Sequence, residues 1–206
     1  MKQNNVGILA SMSWNSNKWG KTATTEDIDN SNYDFVKENG WMHEDLNFAT
    51  AKYPAENDGT FIAYTPMFNS LPSLEESKYV DIVFFRSLNY HTNTNCIVGF
   101  YAYPKIDAFN READNPIYDK YDWGNVRSKI ENIILFDNHI EISNELVAKN
   151  RDIPSGKKLG QQGFNYLLYE NVVNILDAAT QLNPANSRLK TIKLKFLTDI
   201  RYKQYK

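Results

Sequence analysis

Cysteine is almost missing from this chain. The one copy, Cys96, lies in an apolar run and has no partner for an internal disulfide, which points to a reducing compartment and a packing role. Long apolar runs are missing as well. Residues 1–5 are polar, the apolar stretch after them is short, and no later segment approaches the roughly 20 apolar residues that span a bilayer. A cytoplasmic protein without a membrane anchor is expected. An excess of one charge is also lacking. The net charge of −2 removes the simple argument that a strongly basic chain seeks nucleic acid, but it leaves local patches open. No internal repeat and no low-complexity linker is found.

The signatures of common enzyme classes are missing too: no GxxxxGK(S/T) phosphate loop, no GxGxxG after a strand, no GxSxG, no HExxH and no paired CxxC. The histidines, His43, His91 and His139, lie far apart and none has a second ligand at metal spacing, so neither a zinc site nor any other cofactor is expected. His43-Glu44-Asp45 offers a base and two carboxylates and reads as a solvated turn. One nuclease-like order survives: Asp58 followed by Glu76-Ser77-Lys78 has the acid, acid-x-Lys arrangement that holds a divalent metal and activates water. Its second half sits in a stretch that reads as a loop, whereas such residues ride on paired core strands.

What is present is a chain of 206 residues, 42% hydrophobic, 14% aromatic and 23% charged, enough for one sizeable core and too apolar to be disordered. A single domain over 1–206 is expected, with a barrel core over about 6–150 and a C-terminal helix and basic strand over about 156–206. Residues 6–12 read as a short buried strand that delivers a polar, tryptophan-bearing segment, 13–20. A helix or turn over 25–38 follows, capped by hydroxyls and closed by Gly40. Residues 60–67, 79–87, 96–103 and 130–136 read as strands. The second and third of these form a hairpin with 88–95 as its loop, and 107–122 reads as an exposed excursion. A helix over 166–182 is the clearest periodic element, and Ile192, Leu194 and Phe196 alternate with Lys193 and Lys195 as a half-exposed strand with a basic face.

Charge is divided along the chain. Residues 26–60 carry nine acids against two lysines, while 188–206 carry seven basic residues against one acid. The loop Gly156-Lys157-Lys158-Leu159-Gly160-Gln161-Gln162-Gly163 precedes a helix, where backbone N–H groups receive phosphates. Lys157 and Lys158, with Lys193 and Lys195 on the basic strand, are therefore the phosphate-binding candidates. Trp14 and Trp19 stand in a polar segment where burial alone would not put them. Aromatic faces in loops stack planar ligands, and Trp41, Asn47, Phe48, Tyr64 and Trp123 would complete such a pocket, with Asn15 and Asn47 offering donor and acceptor to a base edge.

The Trp14-Asn15 and Trp19 segment after a first strand, with Ile82-Val83-Phe84-Phe85 and Ile97-Val98-Gly99-Phe100-Tyr101 in the hairpin, resembles the PUA-like superfamily, in particular its EVE and YTH-like branch. The resemblance covers about half the chain and implies an α+β fold built on a mixed, mostly antiparallel β-barrel with flanking helices. It also implies a non-catalytic module that holds a flipped, modified DNA base in an aromatic pocket, with Trp14, Asn15 and Trp19 as pocket residues. In bacteria such domains serve modification-dependent restriction systems, so a nuclease or motor domain or subunit would be the partner. The acidic insertion at 26–60 departs from that pattern. The alternatives are a metal-dependent nuclease using Asp58, Glu76 and Lys78, and a protein-interaction domain.

Overall fold

The computed structural model describes residues 5–69, 79–117, 120–142, 151–154, 158–159 and 163–205. The chain is α+β. Its strands are β1 (Gly7–Ser11), β2 (Thr60–Ala63), β3 (Ile82–Asn89), β4 (Thr94–Ala102), β5 (Lys105–Asn110), β6 (Trp123–Lys129), β7 (Ile133–Ile142) and β8 (Phe164–Leu167). Its helices are α1 (Thr25–Asp29), α2 (Asp34–Asn39), α3 (Tyr169–Leu182) and α4 (Ser187–Thr198). Five strands form one sheet in the order β7-β4-β3-β1-β8, and three form another in the order β2-β6-β5. No closed barrel is found among the described residues.

β1 is buried on both faces, as its unbroken apolar run requires. It pairs parallel with β3, Ile8 opposite Val83, and antiparallel with β8, Ile8 opposite Tyr166. The five-stranded sheet is the middle layer of three. One face, with Leu9, Phe84, Phe100 and Phe136, packs under Val172, Ile175 and Leu176 of α3 and Leu189, Ile192 and Phe196 of α4. The other, with Ile8, Val83, Phe85 and Tyr101, meets Phe61, Ala63, Ile106 and Val126 of the small sheet. On this face Gly99 leaves room for the Phe48 ring and the neighbouring strand β7, because a Cβ there would lie 2.3 Å from the Ile134 carbonyl and 2.9 Å from the Phe48 ring. Cys96 is buried and free, a packing residue.

Several expected elements take other forms. Residues 192–196 are not a strand but part of α4, which Asn186 caps by accepting from Leu189 N at 2.9 Å. Its buried residues follow helical spacing, and Leu194 points outward at 63% exposure. Residues 107–122 are not a free excursion. β5 pairs with β6, and the buried Arg111 donates to the Tyr121 carbonyl at 2.7 Å and the Ile62 carbonyl at 2.6 Å. The expected helix over 25–38 is two short ones, the second ending on Gly40 in the left-handed region at φ 70°. The hairpin loop is shorter than 88–95, since β3 and β4 run to Asn89 and from Thr94. Residues 164–167 join the sheet as β8, so the helix expected from 166 starts at Tyr169.

The C-terminal helices are fastened to the sheet at two points. Asn183, beyond α3, exchanges hydrogen bonds with the Asn138 backbone at 2.8 and 3.0 Å. Past α4, Arg201 bridges Asp81 at 2.9 Å and Asp199 at 2.6 Å, and the Tyr202 hydroxyl donates to Asp81. No described helix is long and apolar enough to cross a membrane.

Candidate functional site

The segment after β1 is held by hydrogen bonds to buried groups. Ser13 N donates to Glu44 Oε1 at 2.9 Å, and Asn15 Nδ2 donates to Asp45 Oδ1 at 2.8 Å and the Lys21 carbonyl at 2.9 Å. Trp19 turns inward through two left-handed residues, Lys18 and Trp19 at φ 56° and 51°, and its Nε1 donates to the Ser13 carbonyl at 3.0 Å. Trp19 is fully buried and packs edge-on against Trp14 and Phe48. It fills the core and presents no face to a ligand. Asn15 and Phe48 are buried in the same framework.

Residues from four segments meet around an open pocket of about 730 Å³. Its aromatic walls are Trp41, His43, Tyr64 and Trp123, with Phe35 at the edge. His43 is the hub, 4.3 Å from the Tyr64 ring centroid, 5.3 Å from Trp123 and 5.3 Å from Trp41. Asn47, itself buried, positions Tyr64: it donates to the Tyr64 carbonyl at 2.8 Å and accepts from the Tyr64 N–H at 2.9 Å. Asn125 on β6 grips the next residue likewise, pairing with both backbone groups of Thr65 at 2.8 Å.

His43 ties the walls together and carries a defined tautomer. Its Nε2 lies 2.9 Å from the Trp123 carbonyl, which only accepts, so Nε2 holds the proton and Nδ1 is a bare acceptor. Burial pushes its pKa below the usual histidine range, which keeps the ring neutral at physiological pH. The triplet His43-Glu44-Asp45 is therefore not a solvated turn. Glu44 and Asp45 are buried, and burial raises both carboxyls, Asp45 to about 6.

A second pocket of about 540 Å³ opens at the end of β1, lined by Met12, Trp14, Tyr33, Arg86, Leu88 and Asn95 among others. Tyr33 lines both pockets. Of the residues proposed from sequence for base binding, Trp41, Tyr64 and Trp123 share the first pocket, while Trp14 lines the second. Trp19, Asn15, Asn47 and Phe48 lie behind them. Sequence reasoning missed His43, set aside with its acidic neighbours, and Arg86. A charged residue directly after the apolar run Ile82-Val83-Phe84-Phe85 was the available signal for the latter.

The phosphate candidates scatter. Lys157 lies outside the described residues, and Lys158 is exposed. Lys193 Nζ is 2.6 Å from Asp177 Oδ1, and Lys195 Nζ sits 4.1 Å from the Tyr103 ring centroid, both on a helix instead of the expected strand. For the nuclease alternative, Asp58 is engaged by Arg127 at 2.5 Å and by Thr60, and the Arg127 bond holds its carboxyl far below the usual range. Glu76 and Lys78 lie outside the described residues. Among the described residues no cluster of three or more His, Cys, Asp or Glu could hold a metal. Compared with known proteins, the chain matches no family model, no curated protein and no solved structure.

Proposed function

We propose that this protein is a DNA-binding module that receives a flipped, modified base in the pocket formed by Trp41, His43, Tyr64 and Trp123. The observation that carries the reading is the convergence of four aromatic side chains from three segments of the chain on one open, concave site. Such faces stack a planar group, and stacking offsets the few kcal/mol that extruding a base costs. The bare Nδ1 of His43 suits a base that offers an exocyclic N–H. Lys120 in the lining would hold the strand by a phosphate beside the base, and the cations of α4, across the sheet from this pocket, would reach only a more distant stretch. A PUA-like mixed barrel is the architecture we infer, supported by two sheets that share one buried layer. The cleaving or translocating activity of such a restriction system would come from a partner domain or subunit.

The test is binding of matched duplexes, with and without a modified base, to the protein and to its Trp41→Ala and Trp123→Ala variants at low salt. Each substitution is expected to weaken binding of the modified duplex by roughly 5- to 150-fold, the worth of one stacked base, with thermal melts showing that the variants remain folded. Absence of binding at low salt, or an unchanged preference in both variants, overturns the reading.

A further inference from the structure

Two charged surfaces of this chain carry exposed apolar side chains. Phe35 on α2 is 51% exposed, and Leu194 on α4 and Ile200 just beyond it are 63% and 70% exposed. Single exposed apolar residues are ordinary, so their surroundings decide what they mean. On the α1–α2 surface Glu26, Asp29, Asp34 and Glu38 are all exposed, and none is in an ion pair among the described residues. Lys37 is the one cation between residues 25 and 39. Glu38 follows Phe35 by three residues and shares its helical face.

Around Leu194 the sign is reversed. Lys190 lies four residues before it and Leu197 three after, so one face of α4 carries a cation and two leucines. Lys193 and Arg201 are neutralised by Asp177, Asp81 and Asp199, but Arg188, Lys190 and Lys195 have no carboxylate partner among the described residues. The two surfaces lie on opposite sides of the molecule. Phe35 meets Trp41 edge-on at 5.7 Å, in the layer of the small sheet, whereas α4 covers the other face of the five-stranded sheet. One molecule therefore cannot join its own two surfaces.

We propose that a second copy of this chain docks its α4 face on the α1–α2 surface, with Leu194 and Leu197 against Phe35 and Lys190 opposite Glu38. Charge selects this pairing: α2 against α2 would oppose acids, α4 against α4 would oppose cations, and only α2 against α4 sets unlike charges around an apolar contact. A net charge of −2 adds little overall repulsion between copies. The contact is heterologous, so each copy keeps one free surface and association runs head to tail. The 12 residues of α4 span about 18 Å, which makes the contact small, weak and sensitive to salt. The proposal does not depend on the base-binding reading, although Phe35 stands at the edge of that pocket.

The experiment follows the whole protein by sedimentation velocity from micromolar to millimolar concentration. Average mass should rise with concentration at low salt and return to that of a single chain at high salt. Phe35→Ser and Leu194→Ser should each weaken association by roughly tenfold or more, the loss of one anchoring side chain, with thermal melts showing that both remain folded. Each variant keeps one intact surface, so an equal mixture should form a one-to-one pair and nothing larger. Glu38→Lys and Lys190→Glu should each weaken association, and the double variant, which reverses the pair, should recover it. This charge exchange supplies the answer if a serine variant does not fold. A wild type that stays monomeric at millimolar concentration and low salt, association that survives high salt or is unchanged in both serine variants, a mixture that does not pair, or a double variant no better than its singles overturns the proposal. So does a chain that stays monomeric yet binds duplex DNA or anionic phospholipid vesicles in a manner lost in Lys190→Glu, which assigns the α4 face to another occupant.

Discussion

Glu44 and Asp45 are neighbouring carboxyls, buried where the segment after β1 meets the wall of the aromatic pocket. Burial raises Asp45 from 3.8 to about 6, outweighing its bonds from Ala23 N and the Tyr121 hydroxyl, and Glu44 moves the same way. Between those two values the folded protein keeps a proton that the unfolded chain has released. Stability therefore falls as pH rises through that window, by on the order of 3 kcal/mol for Asp45. Asn15 Nδ2 and Ala23 N both bond to Oδ1, so Asp45→Asn preserves these contacts. Urea unfolding between pH 4 and 7 should show the wild type losing stability as pH rises and Asp45→Asn changing less; parallel curves would remove Asp45 as the source. His43 acts in the opposite direction on the ligand. Its Nδ1 is an acceptor while the ring is neutral, so base affinity should be level above neutral pH and fall in acid, a dependence that His43→Gln should flatten.

At the level of elements, the segment 187–198 shows how two periodicities compete. Ile192, Leu194 and Phe196 alternate with lysines and fit a strand, yet Leu189, Ile192 and Phe196 are buried at spacings of three and four, the helical set. The Asn186 cap and the high helix propensity of Leu and Lys favour the helix locally. The two forms predict different costs. In α4, Ile192→Ala should destabilise by about 2–5 kcal/mol, while Leu194→Lys should stay within about 0.5 kcal/mol, measured by chemical denaturation. A strand with 192 and 194 on one buried face would lose comparable stability at both. β1, the β3–β4 hairpin and α3 were legible because their apolar patterns are long and regular. β5 and β8 were not, because Lys105–Asn110 and Phe164–Leu167 are short, and their pairing with β6 and β1 is a long-range fact. The site divided in the same way. The aromatic character of Trp41, Tyr64 and Trp123 was visible. The inward turn of Trp19 depends on the Ser13 carbonyl and Phe48, which no local pattern announces.

Across the whole molecule, the near-zero net charge is partly stitched into the fold. Lys193 meets Asp177 and Arg201 meets Asp81 and Asp199, while Arg188 donates to the Ile130 and Ile133 carbonyls. The C-terminal cations thus serve as fasteners as well as candidates for a nucleic-acid backbone. If α4 does touch phosphates, Lys190→Glu and Lys195→Glu should each lower the slope of log affinity against log salt by about one. An unchanged slope would take this helix out of the interface. The order of synthesis adds a further consequence. β1 supplies the edge of the guanidinium-bearing pocket, yet its partners are β3, beyond a long crossover, and β8, nearly the whole chain away. At ribosomal speeds of about 5–20 residues per second, β1 waits roughly 10–30 s for β8 to emerge. During that interval it is an apolar strand with an unsatisfied edge, the kind of segment that recruits chaperones or other nascent chains. Assembly of the pocket at the end of β1, which Gly163 helps to line, is accordingly a late event, and truncation ahead of β8 would leave an aggregation-prone chain instead of a smaller folded module.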